Sequence, residues 1–408
     1  MTVLRFPPGF AWGTATSPHQ VEGDNDASDW SDWENEPGRI LDGSRAGRAC
    51  AWWEGRAEQD LADAARRGQT AHRLGVEWSR LEPEPGRFDD AAFTRYARLL
   101  DAMRELGLDA MVTLHHFTLP RWAAHAGGWR SATLGDRLAC FAAECARRFG
   151  GRVRWWATIN EPSVLALMAY AGRAWPPGLG RFDVALRALG HLVRAHGAAY
   201  EAIHRVLPRA DVGIVLNAPR FDPARPRSVR DRAVAGAQDW VFTGAVVRAL
   251  ARQRSLDFLG VNYYGRYAVR FDVRAPAMLF GRHVQAPTVR TEANDWGQIW
   301  PSGLTEQLVR LSRLRVPLYV TENGVLDAVD ALRPRFVVDH VAAVHRAIER
   351  GADVRGYFHW SLLDNFEWAE GYRARFGLVA VDHATQRRTP RASAATYEAI
   401  CRDGAVDA

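Results

Sequence analysis

The sequence predicts a (β/α)₈ barrel, eight parallel strands each followed by a helix, built as one domain over residues 1–408. Three observations carry that expectation. Short β-branched and aromatic runs alternate with segments of helical period along the whole chain. Eight such runs can be counted, at 10–16, 70–78, 110–117, 155–160, 212–217, 258–264, 318–322 and 356–361. Polar residues gather at the C-terminal ends of these runs, the rim on which this architecture places its sites. A doubly wound open sheet is the competing architecture, but no G-x-G-x-x-G follows the first run.

The intervening segments read as amphipathic helices. In DAAFTRYARLLDAMRELG, the residues Phe93, Tyr96, Leu99, Leu100, Met103 and Leu106 share one face at helical spacing, and Gly107 supplies the stop. Residues 134–149 repeat the pattern and end at Gly150, with Cys140 and Cys145 read as small core residues of that helix. No Pro/Gly/Ser-rich linker, fixed-period repeat or low-complexity tract divides the chain.

The composition, 47% hydrophobic and 25% charged, is that of a soluble globular protein with a large core. The net charge of +6 is spread among interleaved acids and bases, and every basic side chain other than histidine is arginine. The lack of lysine excludes Schiff-base, pyridoxal-phosphate and P-loop chemistry. No basic stripe is dense enough for nucleic acid. Cys50, Cys140, Cys145 and Cys401 show no C-x-x-C spacing and the histidines form no H-E-x-x-H, so neither a metal nor another cofactor is expected. The opening MTVLRFPPGFAWG lacks a charged-then-apolar leader, and no run of about 18 apolar residues occurs. The expectation is a cytoplasmic protein with free thiols and no membrane partner; nothing in the sequence marks an oligomeric interface.

Gln20, Arg73, His116, Asn160, Glu161, Asn262, Tyr264, Glu322 and Glu367 all fall at or just beyond the C-terminal ends of the expected strands. Closing the barrel would bring them into one pocket. Two of them are glutamates, Glu161 in T-I-N-E-P, ending the fourth strand, and Glu322 in V-T-E-N-G, ending the seventh. Paired carboxyls of this kind can break an acetal: one protonates the leaving oxygen and the other meets the oxocarbenium-like carbon. A gap of about 5 Å lets the second attack directly and gives net retention. Arg73 and the Tyr264 hydroxyl are candidates to keep one carboxylate ionised. Alone, each residue has a plainer reading. A strand-end glutamate is as often solvated or ion-paired, His116 could be a hydrogen-bonded core histidine, and Trp360 and Trp368 could be core. The joint pattern decides.

With these residues the chain resembles glycoside hydrolase family 1, the β-glucosidase and β-galactosidase family. The resemblance runs from FPPGFAWGTATSPHQVEG through VEWSR, TLHHFTLP, INEP, DFLGVNYY, VTENG and HWSLLDNFEWAEGY to RFGLVAVDHATQRR. It implies a retaining β-glycosidase that takes a small-molecule or oligosaccharide β-glycoside, with glucose the expected sugar and galactose or fucose the alternatives. It further implies Glu161 as acid/base and Glu322 as nucleophile, with Arg73, Tyr264 and Asn262 orienting the latter. Gln20, His116, Asn160, Glu367 and Trp368 match positions that hold the sugar hydroxyls. Trp360 matches the platform beneath the ring and Phe376 an aromatic near O6. A charged Glu367 and the lack of lysine disfavour a 6-phospho-sugar.

The chain departs from the family at the first histidine of T-L-H-H-F, usually tyrosine, and at Phe117 and Thr118, where Trp and Asp are common. The segment 218–257, between the fifth and sixth strands, is shorter than is usual, which predicts an open leaving-group side and broad tolerance there. Two other functions fit the same barrel: a transglycosylase using the same site, and a sugar-binding protein without catalysis. The retention of both glutamates argues against the second.

Overall fold

Eight strands pair in parallel and close into a barrel: β1 Ala11–Ala15, β2 Ala71–Gly75, β3 Asp109–His115, β4 Trp155–Asn160, β5 Asp211–Asn217, β6 Phe258–Asn262, β7 Leu318–Asn323 and β8 Val354–His359. Each pairs with the next, and β8 returns to β1 with Tyr357 opposite Trp12 and Phe358 opposite Gly13. This is a computed structural model, and it describes residues 2–275, 278–284 and 297–407. All eight expected strands are present. The largest shift of an end is at β2, because Trp78 opens the helical turn Trp78–Leu81 instead of extending the strand.

Side chains alternate across a strand, so each barrel strand feeds two cores. Met111, Trp155, Phe258, Tyr319 and Phe358 turn inward and fill the barrel, with Ala11, Ala71 and Val215 between them. Leu74, Val112, Trp156, Ile214, Leu259 and Val320 belong to the outer core beneath the helices. Small residues make room for the large inner rings: a Cβ at Gly13 would lie 2.7 Å from the Phe358 ring. With the barrel plugged by aromatic rings, polar residues are left for the C-terminal rim.

The helix Asp90–Glu105 is capped by Asp89, whose carboxylate accepts from the Ala92 N–H at 2.8 Å, and it buries Phe93, Tyr96, Leu99, Leu100 and Met103. Leu106, expected on the same face, is instead 36% exposed. The helix has already ended there, and Gly107 turns the chain at φ 73°. The helix Leu134–Phe149 has its expected bounds. Its buried stripe runs through Leu138, Phe141, Ala142 and Cys145, whereas Cys140 is exposed, correcting its reading as a core residue. Two positions along a helix turn the side chain by just over half a turn, so Cys140 points to the face opposite Leu138.

Residues 218–257 contain a strand, Arg220–Pro223, and two helices, Val229–Asp239 and Ala245–Gln253, joined by a wide turn at Trp240–Gly244. The strand belongs to a three-stranded sheet outside the barrel, with Arg266–Phe271 and Gly281–Val284. Phe221, Val234, Ala235 and Val269 give this sheet and the Val229–Asp239 helix a small core of their own. Among the described residues no helix is long and apolar enough to cross a membrane.

Candidate active site

The two glutamates sit where strands lose register. β4 slips against β5 between Ala157 and Asn160, and β7 slips against β6 between Val320 and Glu322. Such irregularities re-aim the side chains beside them. Asn160 is the last residue of β4; Glu161 follows in a left-handed backbone conformation, φ 45°, that costs an L residue roughly 1–3 kcal/mol and is typical of functional positions. Glu322 is the penultimate residue of β7. Both carboxyls are buried.

Glu322 is held at both oxygens. Arg73 donates from Nη1 to Oε1 at 2.5 Å, and the Tyr264 hydroxyl donates to Oε2 at 2.6 Å. Burial raises its pKa, while the guanidinium and the phenol act against that rise and favour the carboxylate. Arg73 does not lie at a strand end as expected: it is the middle residue of β2. Its length carries it across the barrel to Glu322, with Nη2 donating to Asn160 Oδ1 at 2.7 Å and Nε to Thr113 Oγ1 at 3.0 Å.

Glu161 has a different environment. Its nearest donor is the Asn262 amide, Nδ2 to Oε1 at 2.8 Å, and the Thr321 hydroxyl fixes that amide by donating to Asn262 Oδ1 at 2.7 Å. Burial, reinforced by the negative charge of Glu322, pushes the Glu161 pKa up to about 8. The site therefore holds one carboxyl that keeps its proton near neutrality beside another provided with a cation and a phenol. That pairing supplies an acid and a nucleophile at the same pH.

The remaining candidates line the same space. Asn160 Oδ1 faces Arg73 and Asn262, so its amide nitrogen donates to His116 Nε2 at 3.2 Å. Burial lowers the His116 pKa well below the ordinary histidine range. The neutral ring then carries its proton on Nδ1, a buried atom without a protein partner among the described residues. Gln20, in the turn Pro18–Val21 after β1, accepts from Ser17 Oγ at 2.6 Å and donates to Glu367 Oε2 at 3.1 Å. Trp360 follows β8 directly, and Phe376 packs 6.1 Å from the Tyr264 ring. Trp368, at φ 51°, has its ring parallel to those of His116 and His19. Burial and the charge of Glu322 push Glu367 up to about 8, so it is mostly protonated at neutral pH. The argument against a phospho-sugar then rests less on its charge than on the lack of lysine in the chain.

Several neighbours went unnamed in the sequence. Thr113, Thr321 and Asn217 contact Arg73, Asn262 and Glu161 respectively, and each is a polar residue on a largely buried strand. That was the available signal. Thr118 donates to Glu77 at 3.0 Å, while Asp29 accepts from the Leu119 N–H at 2.8 Å. The buried Glu77 and the half-buried Asp29 thus anchor the segment that carries His116 and Phe117. Among the described residues no group of histidine, cysteine or acidic side chains could hold a metal ion.

The family model for glycosyl hydrolase family 1 matches residues 3–248 and 241–405. The chain belongs to that family. It is accordingly a retaining β-glycosidase. It is 32% identical to β-glucosidase A of Thermotoga maritima over 450 aligned positions, covering all of both proteins. Among solved structures it resembles a β-glycosidase from Pyrococcus horikoshii, with TM-score 0.92, 36% identity, and coverage of 100% of this chain and 97% of that one. It also resembles a Thermotoga maritima β-glucosidase in complex with glucoimidazole, with TM-score 0.91 and 30% identity, covering 98% and 100% of the two chains.

Proposed function

We propose that this β-glycosidase releases terminal non-reducing β-D-glucosyl residues through a covalent intermediate on Glu322, with Glu161 as acid and then base. The observation that carries the assignment is the asymmetry of the pair. Glu322 touches Arg73 and Tyr264, whereas Glu161 is bonded by an uncharged amide and shifted to about 8. Glu322 attacks the anomeric carbon as Glu161 protonates the departing oxygen. Glu161, now ionised, then takes a proton from the water that releases the sugar. Asn262, Arg73 and Tyr264 hold the pair in place. Gln20, His116, Asn160, Glu367 and Trp368 read the hydroxyls, with Trp360 under the ring and Phe376 beside O6. The glucosidase similarity and the glucoimidazole complex of a relative support glucose as the sugar. A panel of 4-nitrophenyl β-D-glucoside, galactoside and fucoside is expected to give the highest kcat/KM for glucoside; a galactoside preference of tenfold or more would reassign the sugar.

The chain is one barrel domain with a shortened connection at 218–257. Two facts support this. The two stretches matched by the family model meet at 241–248, inside that connection. The alignment with the Thermotoga maritima relative spans 450 positions against 408 residues here, so that relative carries residues this chain lacks. Four free cysteines fit a cytoplasmic setting.

Tyr264→Phe provides a direct test of the nucleophile's environment. Its hydroxyl stabilises the ionised form of Glu322, so removing it raises the Glu322 pKa and moves the acid limb of the kcat/KM profile to higher pH. One charge-assisted bond predicts a displacement of about one pH unit. An unchanged acid limb would count against Glu322 as the group that must ionise.

A further inference from the structure

Ser163 stands two residues after Glu161, in the helical turn Pro162–Leu165 that follows β4, and it is buried. Its hydroxyl donates to the main-chain carbonyl of Phe242 at 2.5 Å. Phe242 lies in the widened turn Trp240–Gly244, within the connection between β5 and β6. Widened helical turns are rare and recur at functional sites. This one is shaped from two sides. A Cβ at Gly244 would come within 2.7 Å of the Trp240 ring, so glycine there lets the ring close over the turn. The Phe242 ring packs edge-on against Phe221 of the outer sheet, 5.7 Å between ring centres. The Ser163 bond therefore fastens the turn after Glu161 to an element that is itself anchored outside the barrel.

Glu161 needs such fastening, because a left-handed backbone persists only where its surroundings hold it. Its N–H donates to the Val215 carbonyl at 2.8 Å, and its own carbonyl accepts from the Leu165 N–H at 3.1 Å. Pro162 fixes its own φ but has no N–H to donate. The Ser163 hydroxyl supplies the next anchor along the chain. The two stretches matched by the family model meet at 241–248, which includes Phe242, so the partner of Ser163 belongs to the connection proposed above to be shortened. We propose that Ser163 is a positioning residue for proton transfer: by holding its turn to Phe242 it keeps the Glu161 carboxyl aimed at the departing oxygen. The inference rests on the acid role of Glu161 given above and adds the residue that supports it.

The test compares kcat/KM for methyl β-D-glucoside, whose leaving group needs a proton, with that for 2,4-dinitrophenyl β-D-glucoside, whose leaving group does not. Ser163→Ala is expected to lose about tenfold on the methyl glucoside and less than about twofold on the dinitrophenyl glucoside. A misaimed acid forfeits part of the roughly 10²–10⁴-fold that proton transfer contributes, and only where a proton is needed. Ser163→Thr keeps the hydroxyl and should keep the wild-type ratio of the two rates. A purely structural defect would lower both substrates together; that result, or no change on either, would overturn the proposal. So would a ratio that threonine shifts as far as alanine does. Ser163→Cys, close in size and a weaker donor, serves if alanine does not fold: its ratio should move the same way by a smaller factor, and an unchanged ratio would count against Ser163. Glu161→Ala in the same assay separates the two readings. If its loss does not follow the leaving group, the acid role itself fails; if it does while Ser163→Ala shows no split, only the role of Ser163 fails.

Discussion

Glu322→Gly is expected to lose at least about 10⁴-fold of its hydrolytic rate on any β-glucoside and to regain turnover in azide without regaining hydrolysis. Removing the carboxylate leaves space at the face of the sugar opposite the leaving group, bounded by Arg73 and the Tyr264 hydroxyl. Azide is small, anionic and attracted by that guanidinium. Loss of the Glu322 charge removes one cause of the raised Glu161 pKa, but burial, the larger cause, remains and still favours the protonated form, so the leaving group can still be protonated. A single displacement then yields the α-glucosyl azide, inverted relative to the β-substrate, and the product is stable because no base is positioned to hydrolyse it. NMR of the anomeric proton reads the outcome. A β-azide would mean that a carboxylate other than Glu322 still forms the intermediate, and the two roles would have to be exchanged.

Much of this site is legible in the chain because its members occupy places a barrel makes equivalent. Asn160 and Asn262 end a strand, Glu161 follows one and Glu322 is next to last in its own, so counting strands also finds the rim. Arg73 breaks that rule. It sits mid-strand, and only its reach explains why it belongs to the site. Sequence spacing carries no information on how far a long side chain extends. His19 was missed for a related reason: its contact with Trp368, at 5.8 Å between nearly parallel rings, joins residues from opposite ends of the chain. The outer sheet of Arg220–Pro223, Arg266–Phe271 and Gly281–Val284 left little pattern, because short strands with Pro223 in one of them show no clean alternation. Cys140 and Leu106 are errors of a different kind. Both came from extending a helical face past the positions that the 3.6-residue period and the helix end allow.

Glu161→Ala is expected to separate substrates by how much their leaving groups need a proton. An alkyl or disaccharide glucoside departs as a strongly basic oxygen and should lose about 10²–10⁴-fold in kcat/KM. The 2,4-dinitrophenyl glucoside leaves without protonation, so its first step should be nearly untouched. Its turnover should then be limited by release of the intermediate, which now lacks a base. Azide bypasses that base and should restore turnover as β-glucosyl azide, the configuration opposite to that from Glu322→Gly. The pH profile adds an independent reading. The Glu161 pKa is raised in the folded protein, so the protonated acid is available below about 8 and is lost as pH rises through that value. The wild-type kcat/KM should therefore fall above about pH 8, and in Glu161→Ala that basic limb should vanish for an activated aryl substrate while the acid limb set by Glu322 remains. If the basic limb survives the substitution, another group carries the proton. Glu367 would be the first to examine, because the same burial and the same charge on Glu322 lift it to about 8 as well.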